Sequence, residues 1–225
     1  MLPTTEEPPP GAADPASAAP AAAPGPSRWS WLLPAAVVVV ALCALSGTVG
    51  FVLGAGRPPG RGSVDVGFLL DMSVHHEQGT ALANLELIHG GSEDVQVYAR
   101  EVLRDQSYEI GLMQFQLGEW GYTREEAGPR GMGWMSMSLP LSEMPGMATE
   151  AELDLLRAAR GRDADALFLR LMEDHHRGAV HMASYAAEHA DDEDVRRLAA
   201  RIARNQELEI EELRAAATRT GLAVP

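Results

Sequence analysis

The chain has 225 residues, 18 basic and 32 acidic side chains and a formal net charge of −14 at pH 7, and all of its basic side chains are arginine. Such an acidic chain lacks the cationic surface that nucleic acid demands, so nucleic acid is excluded as a partner. Its one cysteine, Cys43, excludes a disulfide within the chain and a thiolate cluster.

Residues 1–28 are dominated by Pro, Ala, Gly and Ser and are expected to form a disordered tail. Residues 29–55 are expected to form one transmembrane helix. No charge occurs between 31 and 53, four valines run from 37 to 40, and Pro34 falls in the first turn, where a missing N–H costs little. Trp29 and Trp31 suit an interfacial belt. A cleaved signal peptide is the competing reading, and the long Pro-rich lead and the length of the apolar run weigh against it. Arg28 lies on one side and Arg57 and Arg61 on the other, so charge does not fix the orientation. Residues 56–63 read as a linker.

The rest of the chain, 64–221, carries an internal repeat with an offset of one hundred. Of the 43 positions in 68–110, fifteen are identical in 168–210, with no gap. They include Met72/Met172, His75/His175, His76/His176, His89/His189, Gln106/Gln206 and Glu109/Glu209. Each copy reads as two helices by its 3.6-residue apolar spacing. The first copy breaks at Gly90-Gly91-Ser92, with Ser92 as N-cap, and ends near Gly121. The second runs from about 163 to 189, breaks at Ala190-Asp191, and continues to about 217. A short helix over 150–159 is capped by Thr149. Strand alternation is absent. Two such hairpins bury their apolar faces by packing together, which predicts an all-α four-helix bundle with a crossover at 122–148.

On a helical wheel His75 and His76 flank the core face of their helix, and His175 and His176 do the same, while His181 falls opposite. Folding each hairpin at its break brings Gln106 and Glu109 level with the first pair, and Gln206 and Glu209 level with the second. Met72 and Met172 lie one turn away, and Met113 comes from the partner helix. Burying this many polar groups requires hydrogen bonds or a metal. One reading is a ligand-free His–Glu–Gln network that fixes register. The other is a metal site in which imidazoles ligate and Glu109 and Glu209 ligate or orient them.

The crossover holds Met132, Met135, Met137, Met144 and Met147, with Gly and Pro between them. Thioethers are soft and suit Cu(I) better than iron or zinc. The segment is expected to be loose enough to wrap an ion, though methionines also serve as gap fillers. A di-iron site needs Glu-x-x-His on two helices, and Glu173-x-x-His176 has Ser73 in its counterpart. Iron is therefore the lesser candidate.

The pattern Met172-x-x-His175-His176-x-x-Ala179-Val180-x-Met182-Ala183, then Gln206-x-x-Glu209-Ile210, resembles the DUF305 family of bacterial proteins over about 64–216. The resemblance implies a ferritin-like four-helix fold, an exported or membrane-anchored domain, and copper as the metal. It carries over to Met72, His75, His76, Met172, His175, His176 and Met182. Leu82 stands where the second copy has Met182, so the second copy is favoured as the binding one.

The expected function is that of a cell-membrane, single-pass protein with an extracytoplasmic domain. It would bind copper, Cu(I) foremost, for sequestration or handover. A ferritin-like metalloenzyme and a metal-free structural bundle are the alternatives. Nothing resembles a nucleophile with its base or a phosphate loop. The expected partners are a metal ion and the membrane, with self-association or a metal-transfer partner left open.

Overall fold

A computed structural model describes residues 25, 28–54 and 58–222, and the chain divides into two compact units, Met1–Gly56 and Arg57–Pro225. Nearly all of the tail expected at 1–28, and part of the linker, lie outside the described residues.

In the first unit a 3-10 turn over Arg28–Trp31 leads into helix α1, Leu32–Gly54. Its stretch Leu32–Gly50 has a mean hydropathy of 2.4 and no buried residue. A 23-residue helix rises about 34 Å at 1.5 Å per residue, enough to cross the hydrocarbon of a bilayer. Thr48 returns its hydroxyl to the Ala44 carbonyl, so it exposes no unpaired donor.

The second unit is the all-α bundle that the repeat predicts. Its helices are α2 (Val64–His89), α3 (Glu93–Glu119), α4 (Glu150–Ala158), α5 (Arg162–His189) and α6 (Glu193–Thr220). The last runs beyond the expected 217 because Gly221, at φ +62, supplies the left-handed stop. Thr149 caps α4 in a capping box with Glu152, as the sequence indicates. Ser92 occupies the N-cap of α3, but its hydroxyl makes no capping bond. The buried Asp165 takes over, accepting from Gly91 N at 2.7 Å and Ser92 N at 3.2 Å. Its repeat mate Asp65 accepts from Asp192 N at 2.8 Å. Each hairpin's turn is thus held by a carboxylate at the start of the other hairpin.

Helices α2 and α5 pack together, as do α3 and α6. Two apolar clusters result. One joins the start of α2 (Phe68, Leu69, Met72) and the end of α3 (Met113, Leu117) to the end of α5 (Met182, Ala186) and the start of α6 (Val195, Ile202). The other joins the end of α2 (Leu82, Ala83) and the start of α3 (Val95, Val102) to the start of α5 (Phe168, Met172) and the end of α6 (Leu213, Ala217). Start meets end in both, so α2 runs antiparallel to α5. The His and Gln positions fall between the clusters.

The crossover corrects two expectations. It contains a small antiparallel ladder, Arg130–Gly131 (β1) with Leu139–Pro140 (β2). Nor is it a loose loop, because Met132 and Met144 are buried and Trp134 packs edge-on to Phe68 with ring centroids 5.8 Å apart.

Candidate metal centre

His75, His76, His175 and His176 are fully buried and come together in mid-bundle. The rings of His75 and His175 lie 3.9 Å apart at an interplanar angle of 31°. His76 and His176 sit 6.3 Å and 6.0 Å from their respective neighbours. The predicted layer therefore exists, and its two halves meet at His75 and His175.

The pairs differ in their partners. His76 Nε2 lies 2.8 Å from Glu109 Oε2, and His176 Nε2 lies 2.6 Å from Glu209 Oε2. His176 Nδ1 donates to the Met172 carbonyl at 2.7 Å. Gln206 donates to Glu209 Oε2 at 2.8 Å, and Asn205 to Glu109 Oε1 at 3.3 Å. Glu109 bonds its imidazole and Glu209 lies against the other without a hydrogen bond to Nε2, so both glutamates sit where the level-matching of the hairpins predicts.

His75 and His175 have no carboxylate partner. His75 Nε2 donates to the Pro145 carbonyl at 2.9 Å, and His175 Nε2 donates to the His75 carbonyl at 2.8 Å. Burial pushes His75 down to about 3, with His76 adding to the effect and the Pro145 bond opposing it. Burial, then His75 and His176, pushes His175 well below 6.5. Both rings are neutral, and with Nε2 carrying the proton each Nδ1 presents a bare lone pair. Neither Nδ1 has a hydrogen-bond partner. His76 Nδ1, Gln206 Oε1 and both amide atoms of Gln106 are also unpartnered. A β-carbon on Gly79 would stand 2.0 Å from Gln106 Oε1 and 2.7 Å from His175 Cε1, so this glycine admits both groups to the layer.

The methionine segment is strapped across α2 and α5. At one end the buried Asp71 carboxylate accepts from Met132 N at 2.6 Å and Trp134 Nε1 at 2.8 Å. Burial raises Asp71, and these two bonds work against the rise. Met132 itself takes φ +65, a left-handed conformation that the anchor helps to hold. At the other end Gln78 forms a two-way clamp on Ala148, at 2.9 Å and 2.6 Å. Between Met144 and Met147, the Pro145 carbonyl meets His75, and Gly146, at φ +81, lies against the backbone of Asp174 and His175. A β-carbon on Gly178 would fall 2.0 Å from the Pro145 oxygen. The segment thus crosses α5 directly over the histidine layer.

Of the remaining predicted residues, Met72, Met113, Met132, Met144 and Met182 are buried in the first apolar cluster, with Met135, Met137 and Met147 packed against it. Met172 alone lies in the second. Glu173, the di-iron candidate, is turned away from the layer. Its Oε1 accepts from Arg177 and Arg214, each at 2.6 Å, and these cations outweigh the effect of burial and hold its carboxyl below the usual value. His181 is exposed, as the wheel indicates.

Three residues were missed. Asp65 and Asp165 are identical across the repeat but lie three positions before the compared stretch. Asp71 has Leu171 as its counterpart, and a buried acid present in only one copy is itself a signal that it serves an unrepeated segment.

The donor chemistry fits copper: neutral imidazole nitrogens without partners lie beside a strap carrying thioethers. A finished cage is another matter. The His75 and His175 rings are tilted by 31°, and each Nε2 is tied to a backbone carbonyl. Among the described residues no group of three or more His, Cys, Asp or Glu side chains is placed to hold an ion. Ligation would have to turn a ring and draw in thioethers.

The family model described as "domain of unknown function (DUF305)" matches residues 65–217. The chain is similar to a DUF305 protein of Streptomyces coelicolor described as secreted, at 33% identity and a TM-score of 0.67, covering 74% of this chain and 99% of that one. A DUF305 fragment from Deinococcus radiodurans matches at 30% identity and a TM-score of 0.60, covering 69% and 96%. CopM in its Cu(I)-bound form matches at 25% identity and a TM-score of 0.51, covering 69% and 96%. No curated protein sequence matches the chain.

Proposed function

Because this chain belongs to the DUF305 family, we propose that it is a membrane-anchored, extracytoplasmic protein that binds Cu(I) for sequestration or handover. The observation that carries the proposal is the pair of neutral, unpartnered Nδ1 atoms of His75 and His175 beside a strap of methionines. Neutral imidazole and thioether are the donors that a soft monovalent ion prefers. The likeness to CopM in its Cu(I)-bound form supports the choice of metal. The apolar α1 and the description of the Streptomyces relative as secreted support placing the bundle outside the cytoplasm.

In this reading His75 and His175 supply imidazole nitrogen. Thioethers come from Met144 and Met147 on either side of Pro145, and from Met72, Met113, Met132, Met135, Met137 and Met182 nearby. Glu109 and Glu209 orient His76 and His176, which act as further donors once the layer rearranges. Met172 contributes its carbonyl to His176 rather than its sulfur. Bound copper is cargo: the site offers soft neutral ligands and excludes water, which favours Cu(I) over Cu(II).

The test is anaerobic titration of the detergent-solubilised full chain with Cu(I) against a chromophoric chelator, with elemental analysis. The protein is expected to take copper from the chelator at about micromolar free Cu(I) or below. No competition there contradicts the proposal and leaves the hydrogen-bonded layer as a structural device.

A further inference from the structure

We infer that the groove between α3 and α6 is the route by which the cation reaches the histidine layer; the inference rests on the metal-binding reading above. The strap covers the α2–α5 side, where Pro145 and Gly146 lie against His75 and His175. On the opposite side a groove of about 450 Å³ is lined by Asp105, Glu109, Arg201, Asn205, Glu209 and Glu212. Two of these residues belong to the layer: Glu109 touches His76 and Glu209 touches His176. A cation in the groove is therefore one carboxylate away from a buried imidazole.

Directly behind that floor stand buried polar atoms with no partner. Gln206 is fully buried and bonds Glu209 through Nε2, while its Oε1 is unpartnered. His76 bonds Glu109 through Nε2, while its Nδ1 is unpartnered. These atoms could serve an ion coming from the groove; an acidic patch used only for solubility has no need of them.

The field in the groove favours a cation. Four carboxylates line it against one guanidinium, Arg201. Arg104, just outside, pairs with Asp105 and offsets part of its charge. Partial desolvation at the groove wall raises the Glu212 carboxyl, and the neighbouring charges of Glu101, Glu209 and Asp105 raise it further. Those charges would relax around a bound cation. Clefts lined by one sign of charge focus the field and raise the rate of capture.

Rapid mixing of the full chain in non-ionic detergent with Ag(I), a soft monovalent probe, measures the capture rate when unbound ion is trapped at intervals by excess chromophoric chelator. Glu212→Gln should slow capture by about threefold and Glu212→Arg by about tenfold, a moderate share of the steering that such fields provide. Stoichiometry at equilibrium should be unchanged, and the wild-type rate should fall with added salt. Glu188→Arg makes the same change in net charge on an exposed site of α5 away from the groove and should leave the rate unchanged. Equal rates in wild type and Glu212→Arg, or equal slowing by Glu188→Arg, overturn the route while leaving metal binding intact. Failure of the wild type to bind either Ag(I) or Cu(I) overturns both readings. Glu212 is exposed, and the milder Glu212→Gln keeps the test open if the reversal does not fold.

Discussion

The two ends of the bundle are built from the same repeat and differ in what they hold. The end formed by the start of α2 and the end of α5 collects eight of the nine methionines of the second unit. The end formed by the start of α5 and the end of α2 has Met172 alone, together with Leu82, Val95 and α4. The methionines are therefore divided between the ends and not between the copies. Antiparallel packing of α2 on α5 sends Met72 of the first copy and Met182 of the second to one end, and the strap adds its five methionines there. The second copy, favoured above as the binding one, contributes Met182 to this end and Met172 to the other.

The strongest break in the comparison is expected at the strap's anchor. Asp71→Ala strands two buried donors, Met132 N–H and the Trp134 indole N–H. At about 1–3 kcal/mol each, it should cost about 2–6 kcal/mol in urea unfolding of the full chain and should expose the strap to proteolysis. Next comes metal affinity. The triple change Met132→Leu, Met144→Leu, Met182→Leu keeps packing volume but removes thioethers from one end. Cu(I) affinity should fall at least about 100-fold, the upper end of what losing an outer-sphere partner costs. Met172→Leu at the other end should leave the chelator competition curve where it is.

The methionine-poor end has its own signature in pH. Glu86 is fully buried there, with no donor for either oxygen, while its counterpart is Ala186. Burial first, then the neighbouring Asp165 carboxylate, push Glu86 from 4.5 up to about 9. A raised acid stays protonated in the folded chain while the unfolded chain ionises. Stability is therefore lost as pH rises from about 4.5 and levels off above about 9. Urea midpoints across that range should decline less in Glu86→Gln than in the wild type. The smallest effects sharpen the comparison by sign. Gly178→Ala drives a β-carbon into the Pro145 carbonyl and should destabilise by about 1–2 kcal/mol. Gly111→Ala, in open space on α3, should stabilise by up to about 1 kcal/mol, the helix-propensity gain.

Much of this was legible because it is periodic. The offset of one hundred gives the hairpins, and the wheel puts His75, His76, His175 and His176 inside. Counting back from the breaks places Glu109 and Glu209 beside them. All of that is local geometry within one hairpin. The methionine end is not local: it depends on how α2 crosses α5, which no spacing records. The anchoring of the strap was hidden for a similar reason, since its anchors Asp71 and Gln78 sit sixty or more residues away in sequence. Those anchors were nonetheless visible as positions where the copies disagree, Asp71 against Leu171 and Gln78 against Gly178.

The most direct test follows the methionine methyl groups. In a full chain labelled at the methionine ε-methyls, stepwise Cu(I) addition monitored by NMR reports each sulfur separately. The account predicts that methyls of Met144, Met147 and their neighbours at the strap end shift on binding, while that of Met172 stays in place. Binding that moves Met172 and leaves the strap methyls unmoved would contradict it.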